Sequence, residues 1–191
     1  MRRDERGPSA MYEGYVCKLA TRQELLARWD YLVRLHDDPV WAIFRENQLR
    51  NFDRGNILPF VGILDGRIIC EMTAYVKEEA FEGDISDPAG LLADTMAYLA
   101  AFRTDREFED RGYFGRLYRF AENHLRGLGY TALSLGVGPE AVRNIQIYFH
   151  LGFREYIKTT LEHDPPRFPG DVPEEEYVNF YKKTLQNDLH E

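Results

Sequence analysis

The 191-residue chain, with 44% hydrophobic residues, has the length and composition for one sizeable hydrophobic core. Its net charge of −8 argues against a nucleic-acid partner, because a phosphate backbone needs a basic surface. Cys17 and Cys70 stand far apart in apolar, strand-like runs and read as buried thiols, with no zinc spacing and no other metal motif. No apolar run spans a bilayer and the charged start Met1–Arg6 precedes no signal-like stretch, so no membrane contact and a cytoplasmic location are expected.

In chain order, residues 1–11 are expected to be a flexible tail and residues 12–191 a single domain. A short strand over Gly14–Leu19 leads to Thr21-Arg22-Gln23-Glu24, a capping box that opens a helix running to Leu35. Asp38-Pro39 reads as N-cap and first residue of a second helix ending near Phe52. Asp65-Gly66 between the β-rich runs Ile57–Leu64 and Arg67–Val76 predicts a hairpin. Within Arg67–Val76, alternation assigns Ile68, Cys70, Met72, Ala74 and Val76 to one face, and Ile69, Glu71, Thr73 and Tyr75 to the other. The acidic, turn-prone residues 77–93 read as a surface loop. A strand over Asp94–Thr104, a helix over Gly112–Gly127, a strand over Thr131–Val137, a helix over Pro139–Leu151 and strands over Phe153–Glu162 and Tyr177–Thr184 complete the chain. This order predicts an α/β fold with a mixed sheet and helices on both faces.

Two segments carry chemistry. The first is the turn Asp105–Gly115 before an amphipathic helix, in which Gly112 and Gly115 let backbone amides at a helix N-terminus approach an anion. The second is the helix over Pro139–Leu151, where Val142, Ile145 and Phe149 form the expected inward stripe and Asn144 and Tyr148, four residues apart, share the adjoining face. Gly152 then ends that helix.

Turn, helix, strand and the sequence Tyr148-x-x-x-Gly152-Phe153 together resemble the GNAT N-acetyltransferase superfamily, and within it small bacterial members of undefined substrate. That superfamily's turn reads Gln/Arg-x-x-Gly-x-Gly/Ala, and its later helix reads Asn-x-x-Ala before the tyrosine. The resemblance covers residues 96–156 and extends less closely from 14 to 184. Glu109, Phe114, Ala141 and Asn144 depart from the pattern.

The resemblance implies a mostly antiparallel sheet and an acetyl-CoA-dependent transfer to a primary amine of a small molecule or peptide. It implies that Tyr148 donates a proton to the CoA thiolate, that backbone groups at Phe102, Arg103 and Thr104 hold the pantetheine arm, and that the turn and helix start Arg111, Gly112, Tyr113, Phe114, Gly115 and Arg116, with Asn144, complete the cofactor site. Glu71, read from strand alternation as a carboxylate among apolar neighbours, is the candidate base, with Asp94 in reserve. A homodimer is possible on this reading. The departures at Glu109, Phe114 and Ala141 also admit a non-catalytic acyl-CoA-binding module on the same fold.

Overall fold

A computed structural model describes residues 12–163, 165–166, 168 and 170–185, so the expected tail lies outside the described residues. Seven strands form one sheet: β1 (Tyr15–Leu19), β2 (Ile57–Leu64), β3 (Arg67–Tyr75), β4 (Met96–Thr104), β5 (Ala132–Val137), β6 (Glu155–His163) and β7 (Glu175–Thr184). Their spatial order is β1-β2-β3-β4-β5-β7-β6, and only β4 and β5 run parallel. Four helices cover the two faces: α1 (Arg22–His36), α2 (Val40–Asp53), α3 (Tyr113–Gly127) and α4 (Val142–His150).

The start of α1 is the predicted capping box, with Thr21 Oγ1 accepting from Glu24 N at 3.3 Å and Glu24 Oε2 accepting from Thr21 N at 2.8 Å. At α2 the cap sits one residue later than expected. Pro39 is the N-cap, while Asp38 Oδ1 still accepts from Val40 N at 3.0 Å. The segment after β3 is more than a surface loop. Residues Glu78–Phe81 form a 3-10 turn that buries Phe81 against Tyr75 and Tyr98, and Leu91 further along is fully buried.

On one side, α3 packs Leu117, Ala121 and Leu125 on Phe60, Met72 and Leu99 of the sheet, and Tyr148 of α4 joins the same cluster. On the other, Leu25, Trp29 and Leu32 of α1 and Leu49 of α2 pack on Val61. Strict alternation along β3 fails because Ile69 is an extra residue between the pairs Gly62–Cys70 and Ile63–Ile68. The bulge reverses side-chain parity. Ile69 therefore joins Cys70 on the α3 side, and Ile68 packs with the α1–α2 cluster, the reverse of the expected assignment.

Beneath α1, six charges alternate in sign: Arg103, Glu71, Arg28, Asp105, Arg67 and Glu107. Arg103 Nη1 lies 3.1 Å from Glu71 Oε1, Arg28 Nη1 2.9 Å from Asp105 Oδ1, and Arg67 Nη2 2.7 Å from Asp105 Oδ2. Arg28 Nε is 3.4 Å from Glu71 Oε2, an ion pair without hydrogen-bond geometry. The Arg28 side chain is only 3% exposed and sits between two buried carboxylates, each of which has a second guanidinium partner in Arg103 or Arg67. Arg28→Ala is expected to lower stability by about 3–5 kcal/mol, because it strands Glu71 and Asp105 without their shared cation. A fall in the urea unfolding midpoint with an unchanged slope checks this.

Candidate active site

The parallel pairing of β4 and β5 runs from Met96–Ala132 to Leu99–Leu135 and then ends. At the same place the register of β4 with β3 slips by one residue, between Thr73–Ala100 and Glu71–Arg103. The extra residue is Ala101, at φ 56°. This bulge turns Phe102 toward α3 and α4 and Arg103 to the opposite side, over Trp29 and Trp41. Beyond Leu99 no described residue of β4 pairs with β5, and Phe102–Thr104 line the opening that results.

The floor of the opening is the start of α3. Gly112 caps the helix at φ 79° and has no side chain to bond the first turn. The first helical bond is Arg116 N to Gly112 O at 3.2 Å, so the amides of Tyr113, Phe114 and Gly115 have no helical acceptor. Amides at the positive end of a 15-residue helix are suited to receive an anion. Gly112 suits this position because its φ is left-handed, and a Cβ there would also displace the Tyr12 hydroxyl, 2.5 Å away.

The far wall is α4. Tyr148 is 9% exposed, its ring 5.3 Å from that of Phe102, which in turn meets Phe114 edge-on at 5.6 Å. Burial pushes the Tyr148 hydroxyl up to about 12, so it stays protonated and can donate. Asn144 lies exposed one turn earlier on the same side. The inward stripe differs from expectation: Val142 is 60% exposed and Phe149 partly so, resting on Tyr181, while Tyr148 is buried. The helix begins at Val142, after a turn over Pro139–Ala141, and it is Ile145 and Tyr148 that pack over the aromatic surface β4 exposes by leaving β5.

The resulting cleft has a volume of about 290 Å³. It brings together the sequence-predicted residues Phe102, Arg103, Thr104, Gly112, Tyr113, Phe114, Asn144 and Tyr148. Arg111, Gly115 and Arg116 stand outside its lining. Arg111 turns its guanidinium over Phe108, and Arg116 stacks on Tyr12 with 3.6 Å from the guanidinium carbon to the ring centroid. Glu71 is not in the cleft, and its setting is not the apolar one expected. Both its carboxylate oxygens face guanidinium groups, those of Arg28 and Arg103. The bulge that moves Arg103 across the sheet explains the difference. Asp94 is exposed at the turn before β4 and is not in the cleft lining.

Sequence reasoning passed over Arg143. From the first turn of α4 it reaches across the cleft mouth to Glu109 Oε2 at 3.3 Å and Asp110 Oδ1 at 3.0 Å. A cation in the first turn of a helix opposes the helix dipole, and that mismatch was the available signal of an acidic partner. The bridge offsets the two acids that lie beside the anion site. Both cysteines are shifted away from reactivity: burial pushes Cys70 up to about 12 and raises Cys17, so each keeps its proton and neither suits a nucleophile. Among the described residues no three His, Cys, Asp or Glu side chains form a metal-binding group, and no helix is long and apolar enough to cross a membrane.

The Acetyltransferase (GNAT) family model matches residues 20–153, and the chain belongs to that family. Comparison with curated protein sequences gives no match. Among solved structures, the fold is similar to that of the IAA acetyltransferase of Bacillus cereus, with TM-score 0.58, 13% identity and coverage of 90% of this chain and 99% of that one. It is similar to the ribosomal-protein-alanine N-acetyltransferase of Brucella melitensis at TM-score 0.60 and 15% identity, covering 89% and 99%. A protein of Salmonella typhimurium solved with its cofactor acetyl-CoA matches at TM-score 0.60 and 13% identity, covering 92% and 96%. At these identities the likeness establishes the fold.

The turn gives a prediction for ligand binding. Gly112→Ala forces a side chain into the left-handed region, at about 1–2 kcal/mol, and against Tyr12. Calorimetry should find coenzyme A bound about tenfold or more weakly by the variant.

Proposed function

We propose that the chain transfers an acetyl group from acetyl-CoA to a primary amine by direct attack. One observation carries this reading: the start of α3, a stretch of bulged strand beyond its pairing with β5 and a protonated buried tyrosine meet in a single cleft. The amides of Tyr113–Gly115 suit a pyrophosphate, which needs several convergent N–H donors. The open backbone of Phe102–Thr104 suits a chain of amides lying along it as an added strand, and the rings of Phe102 and Phe114 suit its apolar links. Acetyl-CoA supplies an activated thioester carbonyl.

Backbone donors at the bulge would stabilise negative charge developing on that carbonyl oxygen. Tyr148, kept protonated by burial, would hydrogen-bond the departing sulfur and pass it a proton as the C–S bond breaks. Protonated cysteines support direct transfer rather than an acyl-enzyme. Glu71, hydrogen-bonded to Arg103 and ion-paired with Arg28, is better suited to holding Arg103 in place than to taking a proton.

The decisive experiment measures coenzyme A binding by calorimetry together with acetyl transfer to a panel of amines. Binding with no transfer to any amine would support the non-catalytic acyl-CoA module. Absence of both would sink either reading.

Tyr148→Phe is expected to lower kcat by about 10²-fold or more while the KM for acetyl-CoA changes little. Because Tyr148 must be protonated to act and its hydroxyl is pushed up to about 12, the wild-type rate should climb with pH as the amine neutralises. It should show no descending limb until pH approaches about 12. A descending limb near neutral pH would assign the proton to another group.

A further inference from the structure

The start of α3 is held from behind by the N-terminal segment. Tyr12, just before β1, donates its hydroxyl to Arg111 O at 3.1 Å, and Tyr15, the first residue of β1, donates to Tyr113 O at 3.0 Å. The two bonds join residues 99 and 98 positions apart, so neither comes from local chain geometry. Both tyrosine rings also pack on that of Tyr113, with centroids 5.5 and 4.8 Å away. The Arg116 guanidinium covers the Tyr12 ring, so residues 111, 113 and 116 are all tied to this segment.

The sheet makes room for Tyr15. Gly62 stands opposite Cys17 of β1 and Cys70 of β3, and a Cβ there would overlap the Tyr15 hydroxyl and lie 2.5 Å from Cys70 Sγ. Cys70 Sγ is 3.0 Å from Tyr15 Oη. With the single phenol proton given to Tyr113 O, the thiol is the donor in this second bond. A chain results: Cys70 S–H to Tyr15 O, and Tyr15 O–H to Tyr113 O. Burial raises the phenol far above its ordinary range and keeps the thiol protonated, so the direction holds at working pH.

A trans peptide unit is planar, with its N–H directed opposite to its C=O. Fixing the oxygen of Arg111 therefore fixes the amide of Gly112, and fixing that of Tyr113 fixes the amide of Phe114. Both oxygens are drawn toward the N-terminal tyrosines, which turns the two N–H groups away from them. Gly112 and Phe114 line the cleft.

We propose that Tyr12 and Tyr15 are positioning residues for the diphosphate of the acyl donor, acting through these two peptide planes rather than by contact with the ligand. The proposal rests on the acetyl-CoA reading and deepens it, giving the N-terminal segment a share in cofactor affinity. Ligand and clasp reinforce one another, since a diphosphate that needs the aimed amides favours the clasped arrangement by the same factor.

Phenylalanine at either position keeps the ring contacts and removes only the hydroxyl. In calorimetry on the full chain, Tyr12→Phe and Tyr15→Phe should each weaken coenzyme A binding about fivefold, the worth of one hydrogen bond. S-acetylpantetheine carries the same thioester arm without diphosphate or nucleotide, and so separates aiming from general loosening. Each variant should raise the KM for acetyl-CoA, leave kcat alone, and keep the wild-type kcat/KM for S-acetylpantetheine. Wild-type affinity for coenzyme A in both variants, or an equal loss with the two donors, overturns the clasp and leaves the transfer reading standing. Weaker coenzyme A binding in both variants, with no acetyl transfer by the wild type, upholds the clasp and overturns the transfer reading. A wild type that binds no coenzyme A overturns both.

Discussion

One inserted residue, Ala101 in β4, organises this molecule. A strand that kept its register would present residues 98, 100 and 102 on one face and 99, 101 and 103 on the other. The left-handed φ at Ala101 exchanges the two sets downstream, so Phe102 meets Tyr148 while Arg103 meets Glu71. The same irregularity coincides with the end of β4–β5 pairing, and an open wedge results. Cleft, aromatic wall and charge ladder are therefore consequences of a single backbone event.

The ladder under α1 is the counterpart of that wedge. Separating β4 from β5 removes hydrogen bonds that would have tied the end of β4 to the sheet, and ion pairs on its other side secure it to α1 and β3. Arg28 lies at the centre, almost without solvent, holding Glu71 and Asp105. Arg103 is thereby fixed over two tryptophan rings, those of Trp29 and Trp41. Such buried charge is a costly way to gain stability, and its better-attested use is to enforce one arrangement of the chain.

Much of the architecture could be read from the amino-acid sequence because it rests on local signals. The capping box at Thr21, the Asp65-Gly66 turn, the glycines of the Gly112 turn and the spacing from Tyr148 to Gly152 each encode geometry within a few residues. What the sequence concealed were bulges. Nothing in the composition of Ile68-Ile69-Cys70 or Ala100-Ala101-Phe102 marks an extra residue, because an insertion into a ladder is defined by the partner strand. From those two shifts follow the misplaced faces of β3 and the unexpected setting of Glu71. The orientation of α4 was hidden for a related reason: the surface it covers exists only once β4 and β5 have parted.

The bridge from Arg143 to Glu109 and Asp110 has an implication for how the molecule responds to its surroundings. All three side chains are substantially exposed, so each contact is weak and shrinks as counterions accumulate. The amides beneath it belong to a helix packed on the interior, so their placement does not depend on dissolved ions. Ionic strength thus sets how readily the rim parts, whereas the fold sets where the backbone donors stand.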